Sequence, residues 1–178
     1  MPITIRHMPA AGLLLLAACQ TPVAQSTNSA TNPAEVQFTT NAFQIIQFDQ
    51  KEGALAQTQA RDPRVKTLAQ QLTNEANEFA ARLGPVASAA GIKPPTELRN
   101  DLRIRLGHMQ LQQGLDFDRT YLTDQIASHE EATMMQDSMS GASVSPQFAT
   151  LVQQGQAIIR RNLDTLRALQ AQMDARRR

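Results

Sequence analysis

The sequence has no tryptophan, one tyrosine and one cysteine among its 178 residues, and aromatic residues are 4% of the total. Strands draw on aromatic and β-branched residues, so this scarcity argues against a sheet. An excess of one charge is also lacking: 17 Lys and Arg stand against 16 Asp and Glu, a formal net charge of +1. No global field favours nucleic acid or an acidic partner, and no nucleic-acid partner is expected. There is no glycine-rich phosphate loop and no haem-attachment motif. Ser128 stands beside His129 but has neither an elbow motif nor a third orienting group. No catalytic residue is assigned, and the chain is not expected to be an enzyme. What is present is helix-forming material, 42% apolar and carried mainly by Ala, Leu, Val, Ile and Met.

Residues 1–18 have a basic start at Arg6 and then an apolar run from Ala10 to Ala18. The run is too short to span a bilayer and ends in small residues, the pattern of a secretory signal peptide. The single cysteine, Cys19, follows it directly. Leu16-Ala17-Ala18-Cys19 resembles the bacterial lipobox, in which the cysteine becomes the lipidated first residue of the mature chain. An unpaired cysteine is otherwise a liability in an oxidising export compartment. Gln20 is not the aspartate that commonly retains such proteins at the inner membrane, so the outer membrane is expected. Residues 19–33, rich in Ser, Thr, Asn, Pro and Ala, read as a flexible tether. Residues 34–176 then form one helical domain.

Within that domain apolar residues recur at helical spacing. The first helix starts near Pro33 and runs to about Ala60, apolar around much of its circumference, with Asp49 on one face and Gly53 where a neighbour can come close. Asp62-Pro63 opens the second helix as a cap followed by Pro. It carries Val65, Leu68, Leu72, Ala76, Phe79 and Leu83, with Glu75 beside them. Gly84-Pro85 is expected to kink it or end its regular part. Residues 96–112 form a shorter crossover helix, with Thr96 as candidate cap and Arg99, Arg103 and Arg105 turned away from its apolar face. The central helix covers residues 115–140. The last starts at Ser145-Pro146, and Asn162 interrupts its apolar stripe. Four long amphipathic helices with short turns and one crossover predict an all-α, four-helix bundle.

The central helix divides most informatively. Leu115, Leu122, Ile126 and Thr133 lie together, and Phe117, Tyr121, Met135 and Met139 lie about a third of a turn round. Between them runs a polar lane of Asp118, Gln125, His129 and Gln136. Arg119, Asp124, Glu130, Glu131 and Asp137 fall outward. His129 is thus predicted to face the core, whereas His108 is predicted at the surface.

Ala60-Arg61-Asp62-Pro63-Arg64-Val65-Lys66, then Phe117-Asp118-Arg119-Thr120-Tyr121-Leu122 and His129, resemble a bacterial envelope family of ferritin-like topology, domain of unknown function 4142. The resemblance implies an exported, all-helical protein. It also implies a set of polar core positions: a Glu on the first helix, Asp-His on the second, and one His on each of the central and last helices. Here those positions hold Asp49, Glu75-Ala76, His129 and Asn162. No Glu-x-x-His pair of the di-metal kind occurs, since Ile126 and Arg105 stand three residues before His129 and His108.

Asp49, Glu75, His129 and Asn162 are therefore expected to form a buried polar cluster, with His129 bonded to one of the others. The alternative is a weak transition-metal site on Asp49, Glu75 and His129. No cofactor is expected on the first reading. The function expected is that of an envelope lipoprotein with a non-enzymatic binding, structural or stress-related role. Its partners would be the membrane, through the anchor, and an envelope protein or cell-wall component. The alternative is a periplasmic metal-binding or redox protein of ferritin-like build.

Overall fold

The structure, a computed structural model, describes residues 32–176. The expected signal peptide, Cys19 and most of the expected tether lie outside these residues. The described chain is five helices: α1 (Pro33–Gln59), α2 (Pro63–Ala89), α3 (Asn100–Gln110), α4 (Gly114–Ser138) and α5 (Pro146–Ala175). No strand occurs among the described residues, so the all-α fold expected from composition is the fold observed.

The helix ends follow local chemistry. Asn32 accepts from the Ala34 amide at 3.0 Å, and Asp62 accepts from the Arg64 amide at 2.9 Å, each just ahead of a proline in the first turn. α2 runs through Gly84 and Pro85 to Ala89, so that pair does not end the helix. It stops at Gly91, whose φ of 71° is left-handed, and the Ile92 amide turns back to the Ala87 carbonyl at 2.8 Å. Ile92 packs against Leu83 and Ala87, closing the turn with an apolar contact.

The crossover helix starts later than expected, at Asn100, and Thr96 does not cap it. The reason is competition from α1. Gln44 donates to the Glu97 carbonyl at 2.8 Å and accepts from the Arg99 amide at 2.7 Å, while Gln47 donates to the Pro95 carbonyl at 2.7 Å. These bonds hold the strap before α3 extended along α1. Arg99 and Arg105, expected to point away, instead dock α3 on α4. Arg99 meets Glu131 at 2.5 Å and Arg105 meets Asp124 at 3.1 Å. The Arg105 guanidinium also lies 4.6 Å over the Phe48 ring. Asp124, expected outward, is consequently half-buried.

α1 packs along α2 and α4, and α5 packs along α4 and α2. At Gly53 a Cβ would stand 2.0 Å from Thr73 Oγ1, so the missing side chain lets α2 approach. The buried apolar residues form two clusters. One includes Ala56, Leu68, Leu72, Phe117, Tyr121, Leu122 and Leu166. The other includes Phe38, Phe43, Ile46, Ala76, Leu83, Phe148 and Leu151. Between them on every long helix stand polar residues: Asp49 and Glu52 on α1, Glu75 on α2, Gln125, Ser128 and His129 on α4, and Asn162 on α5.

Candidate functional site

The polar belt is built from helix faces. On α4 the lane of Asp118, Gln125, His129 and Gln136 is the centre of the buried face, and all four are at most 5% exposed. Leu115, which helical spacing groups with Leu122 and Ile126, is 43% exposed, whereas Leu122 is fully buried. Asp118 does not join the belt. It accepts from the Arg61 and Asp62 amides, both at 2.8 Å, and so ties the α1–α2 turn to α4. The two sequence segments that carried the family resemblance therefore meet in space, and their meeting is structural.

At the belt, Asp49 Oδ1 accepts from Ser128 Oγ at 2.9 Å and from Gln125 Nε2 at 3.1 Å. The same Gln125 amide donates to Glu52 Oε2 at 3.0 Å. Burial raises the Asp49 carboxyl above its ordinary range, opposed by the nearby His129 and by the two hydrogen bonds. Burial, then the adjacent Asp124 carboxylate, push Glu52 up to about 10. Burial, Asp49 and Glu52 together raise the Tyr121 hydroxyl well above its usual value. On the facing side, Glu75 accepts from Asn162 Nδ2 and from Arg161, each at 2.7 Å.

His129 is 5% exposed, as the helix phase predicts. Its expected partner is corrected: Nδ1 donates at 2.9 Å to the Gln125 carbonyl, one turn back, and not to Asp49, Glu75 or Asn162. In the neutral ring this bond fixes the Nδ1–H tautomer, with the lone pair on Nε2. His108 is exposed.

Asp49, Glu75, His129 and Asn162 all line one cavity between α1, α2, α4 and α5. It holds about 70 Å³, room for several waters or a small molecule. Ile45, Ile46, Phe79, Met135, Ile158 and Ile159 supply apolar walls. Gln136 lines it too. That side chain is 3% exposed, and neither its amide oxygen nor its nitrogen has a partner among the described residues. Gly155 makes room for it, since a Cβ there would lie 2.8 Å from Gln136 Nε2.

A resident metal does not fit this donor set. No group of three or more His, Cys, Asp or Glu is gathered to hold an ion among the described residues. Glu75 is engaged by Asn162 and Arg161, and one Asp49 oxygen by Ser128 and Gln125. Sequence reading missed Glu52 and Ser128. Glu52 sits on a helix that is apolar nearly all round, where periodicity does not mark one face. Ser128 finds Asp49 across 79 residues of chain, which no local pattern encodes.

No curated protein matches the chain. A solved structure described as the crystal structure of a DUF305 fragment from Deinococcus radiodurans is similar, with a TM-score of 0.72 at 17% identity. The likeness covers 80% of this chain and 98% of that one, and at such identity it speaks for the fold alone. Residues 20–169 match the family described as Domain of unknown function (DUF4142). The matched span holds the α1–α2 turn, its Asp118 clasp and the whole polar belt, and the chain belongs to that family.

Proposed function

We propose that this chain is an exported envelope lipoprotein whose helical domain is a non-enzymatic binding module for a small molecule. α1, α2, α4 and α5 are read as a four-helix bundle of ferritin-like kind, with α3 as its crossover. The anchor reading rests on Cys19 at the end of the apolar run, with the outer membrane favoured by Gln20. No helix among the described residues is long and apolar enough to cross a membrane.

The observation that carries the binding reading is Gln136 in the cavity wall. A buried amide with no partner costs about 1–3 kcal/mol, and a bound molecule that hydrogen-bonds to it recovers much of that. Apolar walls with a few convergent polar atoms are the usual make-up of a small-molecule site. The test is titration of the full chain, carrying Cys19→Ser so that no lipid competes, with the neutral fluorophore N-phenyl-1-naphthylamine. Saturable binding is expected, weakened about tenfold by Ala132→Leu, which fills the cavity from α4. Absence of saturation, or equal binding by a folded Ala132→Leu variant, overturns the reading.

A further inference from the structure

Resting on that binding reading, we propose that the cavity takes a small alkylammonium compound, its ammonium between Asp49 and His129 and its hydrocarbon chain along Ile45, Ile46, Phe79 and Ile158. Three observations select the head group. The first is the balance of charge at the cavity. Its lining carries two carboxylates, Asp49 and Glu75, against a single imidazole. Glu75 already faces the Arg161 cation at 2.7 Å. Asp49 has no ion pair of its own: Arg105 pairs with Asp124 at 3.1 Å, and Arg105 and His129 act on Asp49 only from a distance. A carboxylate 9% exposed whose hydrogen-bond donors, Ser128 and Gln125, are both neutral is the kind of buried group that an ammonium compensates.

The second is the direction of the open hydrogen-bonding sites. Asp49 Oδ1 takes both of the bonds to that side chain, and Oδ2 takes none among the described residues. His129 commits its Nδ1 proton to the Gln125 carbonyl, so the neutral ring offers Nε2 as an acceptor. Both open sites accept, and an ammonium offers three donors. An alcohol offers one donor and no charge, and a carboxylate offers none and meets Asp49 with like sign.

The third is length. Gln136 follows His129 by seven residues on one helix, so the two stand about 10 Å apart along the axis. The space between is walled by aliphatic and aromatic side chains, and at the far end Gly155 leaves room for the Gln136 amide. That spacing suits an alkyl chain of several carbons, with the Gln136 amide free to meet a polar group at its tail.

The experiment is a matched series on the Cys19→Ser full chain at pH 7: hexylamine, hexanol and hexanoate, each displacing N-phenyl-1-naphthylamine. Hexylamine is expected to displace the fluorophore at about tenfold lower concentration than hexanol, with hexanoate weakest. Asp49→Asn should erase the advantage of the amine over hexanol. Ile158→Arg, at the partly exposed wall, should weaken the amine and strengthen hexanoate, so the charge test survives even if Asp49→Asn does not fold. Equal displacement by hexylamine and hexanol, or an amine preference that persists in folded Asp49→Asn, overturns the head-group assignment while the fluorophore still reports a binding cavity. If the fluorophore itself does not bind, the binding reading fails and takes this assignment with it.

Discussion

Glu52 has one carboxyl oxygen on the Gln125 amide and the other without a partner, fully inside the protein. Its pKa rises from an ordinary 4.5 to about 10 in the fold. Between those values the folded chain keeps a proton that the unfolded chain releases, so stability is greatest below about 4.5 and falls as pH rises toward 10. Asp49, also raised by burial, pulls the same way. Glu52→Gln keeps the shape and removes the proton. At pH 8 this variant should be more stable than wild type by about 1–3 kcal/mol, and the gap should close near pH 5. Urea unfolding of both at the two pH values checks it, and a gap that widens toward acid would contradict the charge assignment. His129→Ala should cost about 1–3 kcal/mol, because it opens a cavity and strips a proton donor from the Gln125 carbonyl. His108→Ala, at the surface, should change little. Thermal melts of the two variants decide this, and equal melting would mean that His129 carries no stabilising contact.

At the scale of the helix, close approach between α1 and α2 rests on Gly53. Gly53→Ala should destabilise the fold by about 1–2 kcal/mol, since the new methyl meets Thr73 and helix propensity alone would favour alanine. Thr73→Ala in the same chain should recover most of the loss, and chemical denaturation of the double-mutant cycle measures the coupling. Purely additive effects would show that the two residues do not meet. Helix identity was legible in the sequence because caps and breakers are local: Pro33 at the start of α1, Asp62-Pro63 before α2, Ser145-Pro146 before α5. The polar lane of α4 was legible because polar residues recurred at helical spacing between apolar ones. The start of α3 was not legible, since side chains of α1 some fifty residues earlier hold the preceding strap. Nor was the inward turn of Asp124, which Arg105 imposes from another helix.

For the molecule as a whole, the proposed anchor makes one prediction independent of the cavity. Cys19→Ser should leave the folded domain unaltered and move the protein from the membrane fraction to the soluble fraction of the envelope. Fractionation followed by mass measurement of the mature chain reads both position and acyl groups. Unchanged sedimentation with membranes would refute the lipid reading. The domain that such an anchor would carry has its apolar interior parted by hydrogen-bonded polar residues contributed by all four long helices. In evolutionary terms that division separates two kinds of drift. Within either apolar cluster, residues of similar volume can exchange singly, because packing tolerates volume-conserving substitutions. Across the belt they cannot: losing Asn162 leaves Glu75 Oε2 without its donor, and losing Ser128 or Gln125 takes a donor from Asp49. Relatives should therefore change belt residues in partnered sets spanning two helices, and an intermediate holding half of such a change would be the least stable member of its lineage.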